Sequence, residues 1–143
     1  NTMAINFDVA SMFANYVTLI RDEQVLGKDG SVTNVVPQYR YGGRPADPNW
    51  GIAYPQLISV LNMYYNMTSM VTEYMAAGLP EYIGNLESLM PKDKNGKDNI
   101  AKYPGSFGDW CPPPPNPKIN NSFAGAFGYI QTVRIVAGLC NVT

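Results

Sequence analysis

Two long segments dense in proline and glycine divide this chain of 143 residues, and each sets a tryptophan beside an acid. Residues 37–51 hold three Pro and three Gly and end in Arg44-Pro45-Ala46-Asp47-Pro48-Asn49-Trp50-Gly51. Residues 103–121 hold six Pro among nineteen residues and include Gly108-Asp109-Trp110-Cys111 followed by four prolines. Proline fixes φ and lacks the N–H that a helix interior or a central strand requires. Both segments are therefore long ordered loops, and long loops inside compact domains are usually functional. Trp is large and rigid, with an apolar face and one N–H donor. An Asp one to three residues away adds an acceptor. Face plus acceptor suits a sugar ring, which has a C–H side and a hydroxyl rim. One such loop is more often a packing plug; two in one chain favour a carbohydrate site. The run of four prolines favours polyproline II, stiff without internal hydrogen bonds, and here braces Trp110.

Between the loops the apolar residues recur at three- and four-residue spacing. Phe7, Ala10, Ser11, Phe13, Ala14, Val17, Leu19 and Ile20 predict a helix over 4–24. Val32 to Val36 is β-branched but has no partner strand at hairpin distance, so it reads as an extended loop. A second helix is expected over 54–65, with Pro55 tolerated in its first turn and Leu57, Ile58, Leu61 and Tyr64 or Tyr65 as its stripe. A third covers 68–77. Gly78-Leu79-Pro80 breaks the pattern before a further turn or two over 81–90. Residues 91–102 are polar and read as a surface excursion. Ser122 is the expected cap of a last helix over 123–139, whose apolar face carries Phe127, Ile130, Val133 or Arg134, and Ala137. The fold class is all-α: helical hairpins whose long loops gather at one end, part of an α/α toroid.

Composition narrows the chemistry. The net charge is −1, and the one lysine cluster (Lys92, Lys94, Lys97) is interleaved with Asp93 and Asp98, so there is no nucleic-acid footprint. No apolar run approaches the roughly 18 residues of a membrane span. Histidine is absent, which removes Ser-His-Asp and Cys-His chemistry within the chain and makes zinc improbable. No dense cluster of carboxylates or cysteines supports another metal, and no cofactor is expected. Carboxylates are left as the natural acid–base groups.

Asn66-Met67-Thr68, Asn120-Asn121-Ser122 and Asn141-Val142-Thr143 are N-glycosylation triplets and fit a secreted or lumenal protein, although such triplets also arise by chance. Cys111 and Cys140 form either one disulfide, worth about 3–4 kcal/mol in the chain-entropy picture, or two separate buried thiols. Asn1 is not an initiator methionine, and Asn141-Val142-Thr143 closes a helix and stops. The expectation is that residues 1–143 are part of a single domain with both ends incomplete.

The order of several blocks resembles the bacterial-type α-L-rhamnosidases, glycoside hydrolase family 78. They are Thr2-Met3-Ala4-Ile5-Asn6-Phe7-Asp8, Arg21-Asp22-Glu23-Gln24, Asp29-Gly30-Ser31-Val32, Val35-Val36-Pro37, Arg44 to Gly51, and Gly108-Asp109-Trp110-Cys111-Pro112-Pro113. A single block such as Asp-Gly-Ser-Val is weak, but the ordered set covers nearly the whole chain and is specific. The resemblance implies a six-hairpin α/α toroid that removes terminal α-L-rhamnose with inversion. It also implies that Trp50 and Trp110 line the sugar pocket, with Asp47 and Asp109 shaping or hydrogen-bonding their loops. All four are expected substrate-binding residues; Trp50 is the better direct sugar contact, Asp109 is either a loop-fixing acceptor (the favoured reading) or a direct substrate contact, and Asp8, on a helix, is a structural residue.

The family's general acid would lie just before Asn1 and its general base well beyond Thr143. Inversion needs two carboxyl groups about 6.5–9.5 Å apart, and no residue here is assigned either role. Two readings follow. The chain is the substrate-binding middle of a secreted α-L-rhamnosidase, or it is a catalytically inactive toroid piece serving as a structural or carbohydrate-binding glycoprotein. The expected partners are a rhamnose-containing glycan or glycoside, and either the rest of a parent chain or neighbouring subunits. The latter would cover apolar faces, because 45% hydrophobic residues exceed what a few helices can hide alone.

Overall fold

A computed structural model describes residues 7–38, 43–108 and 120–142. Among them the regular structure is entirely helical, apart from a single β-bridge between Lys92 and Asp98. Helix α1 is Ala10–Gly27, α2 the single turn Pro48–Gly51, α3 Ala53–Tyr65, α4 Thr68–Ala76, α5 Leu79–Ser88 and α6 Asn121–Leu139, with a 3₁₀ turn at Ile100–Lys102 before α6. The all-α expectation holds.

Helices α1 and α3 form an antiparallel pair tied at both ends. At the start of α1, the Val9 N–H donates to the Tyr65 hydroxyl at 3.0 Å. At its end, the Tyr54 hydroxyl donates to Gln24 Oε1 at 3.4 Å. Helix α4 follows α3 after a tight reversal in which Asn66 takes a left-handed conformation at φ 52°. The second reversal, between α4 and α5, passes through Gly78 at φ 70°. The core runs through these helices as Val17, Ile20, Tyr54, Ile58, Leu61, Val71, Tyr74, Leu79, Tyr82 and Leu86, and α6 closes it with Val136 and Leu139. Tyr54 is its hub, its ring edge-on to Tyr74 at 5.9 Å and tilted against Tyr82 at 6.0 Å. Burial pushes the hydroxyl pKa of Tyr54 and Tyr82 far above the usual phenol range.

Gln24 is the polar node of this core. Its Nε2 donates to the Gly30 carbonyl at 2.7 Å and to the Gly78 carbonyl at 2.9 Å. Its Oε1 accepts from Arg21 at 2.8 Å as well as from Tyr54. One buried amide thereby joins α1, the loop after it, α3 and the α4–α5 turn, with every donor and acceptor used.

Three expectations are corrected. Helix α1 is Ala10–Gly27, so residues 7–9 of the expected helix over 4–24 precede it, while residues 4–6 lie outside the described residues. Asp8 therefore lies ahead of the helix, where its carboxylate accepts the Ala10 N–H at 3.2 Å, and Phe7 is exposed. The last helix is capped by Asn120, whose Oδ1 accepts the Ser122 N–H at 2.9 Å; Ser122 lies inside the first turn. The face of α6 is also reassigned. Its buried residues are Gly125, Gly128, Thr132, Val136 and Leu139, while Phe123, Phe127 and Ile130 are 71%, 56% and 43% exposed. The reason is backbone proximity. A Cβ on Gly128 would lie 2.7 Å from the Asn49 nitrogen, and one on Gly125 would lie 2.4 Å from the Pro104 carbonyl. Only a face without side chains lets α6 approach α2 and the second loop this closely.

Candidate functional site

The two proline-rich loops meet at the end of the bundle where α1 finishes and α3 starts. The first loop leaves α1 through Lys28, in a left-handed conformation at φ 64°. It is pinned back by Arg44, whose guanidinium donates to the Ser31 carbonyl at 2.9 Å and pairs with the Glu23 carboxylate at 3.2 Å. Two backbone bonds fold the loop on itself, Ala46 N–H to Val32 O at 2.9 Å and Asn34 N–H to Gly43 O at 3.2 Å.

Asp47 follows and is 2% exposed. As the N-cap of α2 its Oδ1 accepts the Asn49 N–H at 2.9 Å and the Asn49 side-chain amide at 3.1 Å. Its Oδ2 reaches across to the second loop, accepting the N–H of Ser106 at 2.5 Å and of Phe107 at 3.1 Å. Its own N–H donates to the Asn34 side chain at 2.7 Å. The carboxylate is thus enclosed by four protein donors.

The remaining motif residues divide cleanly. Pro48 starts α2, where a missing N–H costs nothing. Asn49 also donates its side-chain amide to the Ala124 carbonyl of α6 at 2.9 Å. Gly51 is buried so close to Tyr82 that a Cβ would meet its hydroxyl at 2.2 Å. Trp50 turns outward, and within Arg44 to Gly51 only it and Pro45 are exposed. It is 44% exposed, and its indole packs on the Phe107 ring at 5.3 Å between centroids with a 40° tilt. The same indole lines a small cleft with Tyr16, Asn34 and Ala53.

Trp110, Asp109, Cys111 and the four prolines lie outside the described residues, as does any bond between Cys111 and Cys140. Cys140 itself is exposed at the end of α6. Asn66, Asn120 and Asn141 are all exposed. Sequence reasoning missed Phe107 and Asn34. Phe107 directly precedes the Gly-Asp-Trp block, yet nothing in its own neighbourhood reveals that it meets a ring 57 positions earlier.

Among the described residues two carboxylates have a lowered pKa. Asp29 is held below the usual range first by the Ser31 hydroxyl, at 2.5 Å, and then by the Ser31 N–H, at 2.9 Å. Glu81 is held down by its bidentate pairing with Arg21. Among the described residues no group of three or more acids, cysteines or histidines is arranged to hold a metal, and no helix is long and apolar enough to cross a membrane.

Helical hairpins that bring two long loops together at one end, with an outward tryptophan on one of them, define an all-α hairpin domain. Residues 1–142 match the family described as the bacterial alpha-L-rhamnosidase 6 hairpin glycosidase domain, and the chain belongs to that family. Its class is therefore the rhamnosidase-type glycoside hydrolases. No curated protein and no solved structure matches the chain.

Proposed function

We propose that this chain supplies the tryptophan-bearing wall of a pocket for terminal α-L-rhamnose in a secreted, inverting α-L-rhamnosidase. The proton donor and the water-activating carboxylate then come from sequence outside residues 1–143. The observation that carries the reading is the outward indole of Trp50. Every other described side chain from Arg44 to Gly51 with a polar or shape-specific role is spent on the protein itself. An indole half open to solvent on a fixed loop offers the flat apolar surface that the C–H face of a sugar fits. By the family resemblance, Trp110 and Asp109 belong to the same wall. The exposed positions of Asn66, Asn120 and Asn141 are compatible with glycosylation and hence with secretion.

Two separate apolar faces support a partner made of further helical hairpins of the same toroid. On α1, Met12, Tyr16 and Leu19 flank an open groove of about 650 Å³ shared with Ala53, Leu57 and Val60 of α3. On α6, Phe123, Phe127 and Ile130 repeat the same i, i+4, i+7 spacing. Such faces are characteristic of packing surfaces.

The second reading is a carbohydrate-binding module without catalysis, for which the outward indole of Trp50 would serve equally well.

The test is Trp50→Ala in the full-length protein, followed by rhamnose titration calorimetry, aryl α-L-rhamnoside hydrolysis and thermal melting. The expected result is an affinity loss of roughly ten- to a hundredfold, with the melting temperature nearly unchanged. Unchanged affinity with a lowered melting temperature would make Trp50 a packing residue and remove the pocket reading. A protein that binds rhamnose but releases none from the aryl glycoside would establish the binding module instead.

A further inference from the structure

We infer that Asp47 is a positioning residue, a latch that fixes the Trp50–Phe107 aromatic pair, and that its carboxylate does not contact the sugar. The inference rests on the reading of Trp50 as a sugar contact. The sequence groups Asp47 with the sugar-binding residues while having it shape or hydrogen-bond its loop, and the geometry separates these roles.

Both carboxylate oxygens are occupied, and they face different loops. Oδ1 caps α2 through Asn49, which sets the direction in which the next residue, Trp50, leaves the backbone. Oδ2 receives two consecutive N–H groups, those of Ser106 and Phe107, and so sets where the Phe107 ring stands. The Asp47 carbonyl also accepts the Trp50 N–H at 2.8 Å. The two rings in contact at 5.3 Å are thus each held through one carboxylate, one ring from each loop. With the side chain buried, its oxygens already bonded to four donors and the residue 2% exposed, no face remains for a hydroxyl of a ligand.

The charge matters as well as the shape. Two backbone N–H groups converging on one oxygen form a small anion nest, and an ionised carboxylate satisfies it best. An amide at position 47 fits the same volume but has only one oxygen. Its NH₂ must then face either the Asn49 donors or the Ser106–Phe107 donors, leaving buried N–H groups unmatched. Asp47→Asn should therefore release one loop from the other while leaving the helical core in place.

The experiment pairs hydrogen exchange with a double-mutant cycle on the full-length protein. Asp47→Asn is expected to speed exchange at the Ser106 and Phe107 amides by about tenfold or more, with the α3 and α4 amides unchanged. For rhamnose, Asp47→Asn should weaken binding roughly tenfold in the native background and less than about twofold in the Trp50→Ala background, because a residue acting through Trp50 is non-additive with it. Additive losses would mean that Asp47 touches the sugar and would overturn the inference. Unchanged exchange at Ser106 and Phe107 would overturn it too. Phe107→Leu provides a second route if Asp47→Asn folds poorly. It keeps the backbone donors and removes only the ring, so affinity should fall while the Ser106 and Phe107 amides stay protected; retained affinity would count against the aromatic pair. If Trp50→Ala leaves rhamnose affinity intact, the pocket reading fails separately, and the exchange arm still decides whether the latch exists.

Discussion

Gln24 and Asp47 show what single polar side chains contribute when they are buried with all their partners. Neither lies in the apolar stripes that a periodicity reading selects, yet each joins segments far apart in sequence. For Gln24 the consequence is stability. Replacing it by Leu keeps the volume but leaves the Gly30 and Gly78 carbonyls facing an apolar chain, and Arg21 loses an acceptor. The expected cost is about 2–4 kcal/mol, since buried groups left without partners carry their full desolvation penalty. Urea unfolding of Gln24→Leu measures it, and a loss below about 1 kcal/mol would mean that the network relaxes onto water.

At the same scale, Asp29 and Glu81 set a pH dependence. Both are held below their ordinary carboxylate values in the folded protein, by Ser31 and Arg21 respectively. Their contribution is therefore fully present above the unfolded-state range, near pH 4, and is lost as pH falls through the folded values. Both groups lie at the surface, so solvent screening keeps each contribution small. The urea midpoint should stay flat from neutral pH to about 5 and decline below about 4, and Glu81→Gln should remove part of that slope. A midpoint rising on acidification would contradict the sign.

At the scale of the element, α6 separates what was legible in the sequence from what was not. The extent of the helix was legible, because seventeen residues without proline follow a polar cap. Its buried face was not. A hydrophobic-periodicity argument selects the face with Phe127 and Ile130, because it weighs apolar bulk. The fold uses the face with Gly125, Gly128 and Thr132, because two backbone segments must pass against it. That demand originates in residues 48–49 and 104–105 and leaves no trace in the helix's own pattern. The same limit applies to the site. Trp50 was legible as an outward aromatic in a stiff loop, whereas Phe107 was not, because its role is defined by a partner across the molecule.

The glycines of α6 give this a measurable form. Gly128→Ala should destabilise by about 1–3 kcal/mol, overpacking against the Pro48–Asn49 backbone exceeding the gain in helix propensity of at most about 1 kcal/mol. It should also shift the fluorescence of Trp50, since α2 must move to make room. Gly138→Ala is the matched control. Nothing lies within 4 Å of the added methyl there, so the same change should be neutral or stabilise by up to about 1 kcal/mol. Equal effects at the two positions would show that close approach does not govern this face.

At the scale of the whole molecule, the exposed residues organise the argument. A core built on Tyr54 and Tyr82 gives the chain an interior of its own. At the same time α1 presents Met12, Tyr16 and Leu19, and α6 presents Phe123, Phe127 and Ile130. On the proposed reading, these faces at helical spacing are where further hairpins of this six-hairpin family stack. The prediction contrasts two contexts for one substitution, Phe127→Glu. In the chain of residues 1–143 produced by itself, Phe127 is more than half exposed, so the change should leave the helical circular dichroism signal intact and reduce self-association in sedimentation velocity. If further hairpins pack here as proposed, the same charge in the full-length protein meets a neighbouring hairpin, where an unpaired carboxylate costs several kcal/mol, and the melting temperature should drop sharply. A variant that behaves alike in both contexts would place this face of α6 in solvent and leave its apolar stripe without a packing role.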